Sequence, residues 1–157
     1  MPVFEQLTSL LEGKQAGFRV ISHPAEGKSD LVAQIRGTEP GQGAKAMLCK
    51  VKEAPDVLIL AVLPGDRKLD FKKVAQAFGF KKATFAAPDE AMQETGCVIG
   101  AIPPFSFSPR IKLVVDPELV ETYGEIAFNA GRLDRSIVLN AQDYVRIAEP
   151  LLRSICA

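Results

Sequence analysis

The run Gly96-Cys97-Val98-Ile99-Gly100-Ala101-Ile102-Pro103-Pro104-Phe105-Ser106-Phe107 constrains this chain more than any other segment. An apolar, β-branched stretch meets a glycine, adjacent prolines follow, and two phenylalanines flank a serine. Regular strand cannot continue through it, because Pro103 and Pro104 have no N–H to donate and hold φ at about −65°. Gly100 has no Cβ, so another molecule can approach its backbone closely. Two readings stand. One is a proline-rich turn closing a hairpin. The other is a rigid loop that aims N–H and C=O dipoles at a small substrate.

Gly41-Gln42-Gly43-Ala44-Lys45-Ala46-Met47-Leu48-Cys49-Lys50-Val51 reads as a glycine-rich turn entering a strand. Side chains alternate faces along a strand. Lys45 therefore shares a face with Met47, Cys49 and Val51, an apolar row that points inward. Lys50 and Lys52 fall on the opposite, solvated face. An inward ammonium needs a partner, because unpaired buried charge is costly. That partner is either an internal carboxylate or an anionic ligand.

The 19 basic and 19 acidic residues cancel, which argues against an extended nucleic-acid surface. Lys72-Lys73 and Lys81-Lys82 read as solvated surface. No apolar run is long enough to span a bilayer, and no basic-then-apolar leader pattern opens the chain, so the cytoplasm is the expected compartment. Cys49, Cys97 and Cys156 form neither a metal-binding pattern nor a disulfide framework. Cys49 and Cys97 are read as buried residues of apolar strands.

Periodicity predicts a single α+β domain over residues 1–157, with a mixed, mostly antiparallel sheet or distorted barrel surrounded by helices. Val3, Leu7, Leu10 and Leu11 form a helical stripe stopped at Gly13. Phe18–Ser22 is a strand, and Ser29 or Asp30 caps a helix that ends at Gly37. Ala46–Val51 and Val57–Leu63 form a hairpin through Pro55. Asp70 caps a helix that stops at Gly79, and Pro88 opens another that ends near Gly96. Ile111–Val115, Glu125–Phe128 and Ser136–Leu139 are strands, with a brief helix opening at Asp116-Pro117. A last helix from about Asn140 buries Tyr144, Ile147, Ala148 and Leu151, and Pro150 kinks or ends it. The order is not a βαβ alternation, so a doubly wound sheet is not expected. Dinucleotide, Walker and GxSxG signatures are absent.

Together these segments resemble the YbaK/prolyl-tRNA synthetase editing-domain family of free-standing aminoacyl-tRNA deacylases, with its YeaK-like subgroup nearest. The resemblance rests on Ile35-Arg36-Gly37, Gly41–Val51, Gly96–Phe107 and Glu125-Ile126-Ala127-Phe128-Asn129-Ala130-Gly131. It implies a metal-free, cofactor-free and substrate-assisted hydrolysis of mischarged aminoacyl-tRNA carrying a small amino acid of the serine, threonine or alanine type. The implied partners are the tRNA acceptor end and a possible synthetase, with no DNA and no membrane.

The family's signature lysine falls at Lys45, where it would hold a phosphate or ribose group. Its GxxxP loop spans Gly100 to Pro104. Gly100 and Ala101 would hold the water or the ester carbonyl, with Ile102, Pro103, Pro104 and Phe105 lining the substrate. Phe105 and Phe107 either pack on the terminal adenine or join the core. Asn129, Gly131 and Asp134 are candidate substrate contacts or turn formers. His23, the single histidine, either closes its strand or lines the pocket. Several relatives carry a threonine just after the position of His23-Pro24. Here the segment is Glu26-Gly27-Lys28-Ser29, so Lys28 is a candidate phosphate contact or a solvated loop residue. A non-catalytic binding module for an aminoacyl-like ligand or synthetase, and a hydrolase of small amino-acid esters, are the competing functions.

Overall fold

A computed structural model describes residues 2–157. Leu58–Pro64 (β3) explains the architecture, because every residue of this strand is buried. Leu58, Leu60 and Val62 enter one apolar cluster, while Ile59, Ala61 and Leu63 enter another. A strand buried on both faces reads as a continuous apolar run, and alternation divides its side chains between the two clusters.

β3 pairs antiparallel with Ala44–Val51 (β2) through the expected hairpin, in a register that sets Lys45 opposite Leu63. β2 also pairs with Ala83–Phe85 (β4), and β3 runs parallel to Ile111–Val115 (β5). Leu151–Leu152 (β8) completes this five-stranded sheet in the order β4-β2-β3-β5-β8. A second sheet, β1-β7-β6, is built from Phe18–Ser22 (β1), Arg135–Asn140 (β7) and Glu125–Arg132 (β6). The isolated Gly43–Ala127 bridge links the two sheets beside the entry to β2. Neither sheet closes into a barrel, so the fold is α+β with two open, mostly antiparallel sheets.

The helices are Val3–Gly13 (α1), Ser29–Arg36 (α2), Phe71–Ala77 (α3), Pro88–Thr95 (α4), Pro117–Thr122 (α5) and Ala141–Ala148 (α6). Their ends follow local chemistry. The Asp70 carboxylate caps α3 by accepting from the Lys72 and Lys73 amides. Asn140 caps α6, and Gly37 and Gly96 end their helices in the left-handed region.

Four expectations change. The N-cap of α2 is Lys28, not Ser29 or Asp30, because Ser29 is already the first helical residue and no side chain caps that end. β6 runs on through Asn129 to Arg132 with a register shift, and the turn falls at Leu133-Asp134. The bulge absorbs the glycine that looked like a strand end. Cys97 is buried but lies in a bend between α4 and Gly100, where the prolines ahead prevent strand pairing. Leu151 belongs to β8, because α6 ends at Ala148 and Glu149 turns at φ 48° before Pro150.

Candidate active site

Three segments that are distant in sequence converge on one cleft. They are Gly27–Asp30 at the start of α2, Gly43–Met47 at the start of β2, and the Ile99–Ile102 loop. The cleft holds about 440 Å³ and is also lined by Arg36, Gly65 and Asn129. An apolar recess of about 260 Å³ adjoins it, sharing Ala46, Met47, Ile99 and Ile102 and adding Phe85, Pro88 and Ala91.

Gly27 and Gly100 bring two of these segments into backbone contact. Gly100 sits at φ 92°, and a Cβ there would lie 3.1 Å from the Gly27 Cα. Only glycine meets both the left-handed backbone and the close approach. Asn129 fastens the same junction. Its Nδ2 donates to the carbonyls of Glu26 and Gly100, each at 2.8 Å. Its Oδ1 accepts from Arg36 Nη2 and the Ser136 hydroxyl, each at 3.1 Å. Every hydrogen-bonding position of this buried amide is thus used by the protein. Asn129 reaches the cleft as a clamp on its wall.

Lys45 lines the cleft beside Met47, as strand alternation requires. Its Nζ donates to the Arg67 carbonyl at 2.6 Å, so its protein partner is a neutral oxygen. Burial lowers its pKa below the ordinary lysine value, against upward pulls from Cys156 and Asp66. Lys28 stands at the N-cap of α2 and is exposed within the cleft lining.

The remaining sequence candidates occupy other places. Ala101 is fully buried, its N–H donating to the Val98 carbonyl and its carbonyl accepting from the Gly131 N–H. The adjacent Gly100 N–H donates to no protein group among the described residues. Pro103, Pro104 and Phe105 are buried. The Pro104 carbonyl takes the Tyr144 hydroxyl, and Phe105 packs edge-on against Phe128 and Tyr144. Phe107 faces a separate recess of about 70 Å³ with Val3 and Gln6. The double proline therefore turns Phe105 inward to the core and leaves the cleft wall to Ile99–Ile102. Gly131 seats α1, since a Cβ there would fall 2.9 Å from Val3 Cγ1. Asp134 pairs with Arg132 and Arg135 in the β6–β7 turn. His23 lies behind the cleft, with Nε2 2.7 Å from Ser136 Oγ and Nδ1 2.8 Å from the Pro24 carbonyl.

Arg36 in the cleft and Phe85 in the recess are functional candidates that the sequence motifs do not single out. Arg36 sits at the last turn of α2; it belongs to the Ile35-Arg36-Gly37 segment of the resemblance, but nothing in that segment's periodicity assigns it a role beyond a helix end. Phe85 occupies the short β4 and is 49% exposed at the recess. Strand alternation with Cys49 and Val51 across the β2–β4 pairing offered a signal for it, but three residues are too few to show a period.

The family model of the aminoacyl-tRNA editing domain matches residues 23–147, which contain the whole cleft. The chain belongs to this family. Across 149 residues it is 50% identical to the multifunctional Ser/Thr-tRNA deacylase ProXp-y of Escherichia coli K12, covering 94% of this chain and 89% of that protein. A proline–tRNA ligase of Thermosipho melanesiensis is 29% identical over 85 residues, which are 54% of this chain and 14% of the ligase. The fold matches the crystal structure of a proposed trans-editing enzyme for prolyl tRNA synthetase. The TM-score is 0.84 at 21% identity, covering 100% of this chain and 98% of that one.

Within this editing domain the thiols are poor nucleophiles. Cys49, Cys97 and Cys156 are all buried, and burial pushes Cys49 and Cys156 up to about 12 and raises Cys97. No helix among the described residues is long and apolar enough to cross a membrane.

Proposed function

We propose that the whole chain acts as one free-standing deacylase that hydrolyses tRNA mischarged with serine, threonine or a similarly small amino acid. The observation that carries this reading is the convergence of Lys45, the Gly100 loop and Asn129 on one cleft. The 50% identity to a Ser/Thr-tRNA deacylase supports the choice of amino acid.

The chemistry follows from what lines the cleft. Water attacks the ester carbonyl, a tetrahedral oxyanion forms, and the bond from carbon to the ribose oxygen breaks. The amino acid leaves as a carboxylate, and the ribose oxygen takes a proton. The Gly100 N–H, free of a protein acceptor, is the donor that meets the developing oxyanion. Among the described residues Asp30 is the one acidic residue lining the cleft, and it is exposed. The neighbouring ribose hydroxyl relays the proton, the Glu26 carboxylate beside the loop being engaged by the Gly27 and Lys28 amides, and the step uses no metal. Lys45 acts as a donor to the ribose–phosphate end. The terminal base enters the apolar recess and stacks on Phe85. The site of action is the cytoplasm, and the ligase relative favours cooperation with a synthetase.

Deacylation of a panel of mischarged tRNAs by wild type, Lys45→Ala and chelator-treated protein tests this reading. Selective hydrolysis that survives chelation and falls at least 100-fold in Lys45→Ala is expected. A folded wild type that hydrolyses none of the panel overturns it and favours a binding module.

A further inference from the structure

Arg36 is the most unusual charge in the molecule. It is largely withdrawn from water, and burial lowers its pKa to about 10. A buried cation ordinarily has a carboxylate beside it. None of the seven ion pairs among the described residues includes Arg36, Lys28 or Lys45. The guanidinium instead spends one edge on neutral oxygens, with Nε donating to Ser136 Oγ at 2.7 Å and Nη2 to Asn129 Oδ1 at 3.1 Å.

Nη1 is left over. It donates to no protein group among the described residues, and it faces Gly43, where a Cβ would lie 3.8 Å away. The sealed side-chain nitrogen or oxygen without a partner among the described residues is Thr38 Oγ1. Nη1 is therefore in touch with open space, and both Arg36 and Gly43 line the cleft. A guanidinium fixed along one edge, with its other nitrogen bare in a cleft that also carries Lys28 and Lys45, is a preformed anion site.

We propose that Arg36 Nη1 binds the phosphodiester of the terminal nucleotide of the acceptor end. This inference rests on the deacylase reading for its ligand. A permanent cation calls for a permanent anion. The phosphodiester carries its charge throughout the reaction, whereas the ester oxyanion exists only in passing. Arg36 thus anchors the substrate, while the Gly100 loop meets the reacting carbonyl.

The test compares two substrates, a seryl-microhelix and seryl-adenosine, which bears the same ester and base but no phosphate. In Arg36→Gln the ratio of kcat/KM for microhelix over adenosine ester falls about 10- to 100-fold, through KM, as expected for loss of a charged hydrogen bond. Arg36→Lys, which keeps the charge, retains more of that ratio. An equal loss on both substrates shows that Arg36 only braces Asn129, and overturns the proposal. Because Arg36→Gln could unfold the Asn129 cluster, Gly43→Ala is run beside it. Gly43 sits at φ −69° and its added methyl would stand in ordinary contact with Nη1 at 3.8 Å, so alanine is tolerated there, while the methyl narrows the space beside Nη1 that the phosphate would enter and lowers the same ratio.

Binding of 5′-AMP and adenosine, followed by calorimetry, separates this site from the deacylase reading. Wild type binds AMP at least tenfold more tightly than adenosine, and Arg36→Gln cuts that difference severalfold, Lys45 supplying the remainder. That result stands even if no ester is hydrolysed, whereas equal binding of AMP and adenosine by wild type overturns the anion site.

Discussion

Asn129 Nδ2 donates to the Gly100 carbonyl at 2.8 Å, tying strand β6 to the loop that forms the cleft wall. The same nitrogen holds the Glu26 carbonyl at 2.8 Å, so one buried amide fixes both rims. Asn129→Ala strands two carbonyls and frees the Arg36 guanidinium from an acceptor. A loss of about 1–3 kcal/mol is expected, the cost of unsatisfied buried groups. Because the loop shifts as well, kcat falls at least tenfold at temperatures where the variant is fully folded. Chemical denaturation beside single-turnover kinetics measures both.

Gly100→Ala tests the close approach of the two loops. Its Cβ would meet the Gly27 Cα at 3.1 Å and the Gly27 carbonyl oxygen at 3.2 Å, and backbone atoms cannot swing aside. The residue also holds φ 92°. Strain of about 1–3 kcal/mol is expected, and it is relieved by opening the cleft. The expected outcome is at least a tenfold fall in kcat/KM with the fold retained by circular dichroism. Gly124→Ala, where a Cβ meets nothing within 4 Å, is the control that stays active.

The fold was largely legible because its signals are local. Asp70, Asn140, Gly37 and Gly96 mark helix ends through their own side chains or backbone freedom, and β3 announces a buried strand by its unbroken apolar run. Lys45 stood out as the single charge on an apolar strand face. The cleft was harder to read, because its wall is assembled across distance. Phe105 and Ile102 are both apolar residues of one loop, and only the packing against Tyr144 and Phe128 decides that Phe105 turns inward. Arg36 looked like a helix-end arginine. Its missing counter-ion emerges only when β6 and β7 bring Asn129 and Ser136 beside it.

Phe85 offers a test of the base recess. It is half exposed, with its ring edge-on to Phe71 at 4.6 Å, so its outer face is free to stack. Base–aromatic stacking contributes about 1–3 kcal/mol. Phe85→Ala is expected to raise KM about tenfold on the full tRNA with kcat nearly unchanged. Phe85→Tyr should restore KM. A Phe85→Ala enzyme with wild-type KM places the base elsewhere.

Asp116 sets how the fold responds to acid. Its Oδ2 accepts from the Ile155 and Cys156 amides at 2.9 and 3.2 Å, and its Oδ1 from the Glu118 amide at 2.9 Å. The carboxylate thereby caps α5 and holds the C-terminal Ile155-Cys156 segment, which bridges to Leu69, beside the end of β5. Burial alone would raise its pKa, but these donors outweigh burial and the net shift is downward. A carboxyl with a lowered folded pKa stabilises the native state above its unfolded value of about 3.9. That stability is lost as pH falls through the folded value. Asp116→Asn keeps the shape but surrenders the charge and one acceptor. At neutral pH it should cost about 1–3 kcal/mol, which lowers Tm by about 2–4 °C per kcal/mol in a chain of this size. Other carboxylates also titrate in acid, so the decisive quantity is the difference in Tm between wild type and Asp116→Asn. It should be largest at neutral pH and shrink as pH falls below about 4. A difference that holds constant into strong acid would show that Asp116 contributes through shape and not through charge.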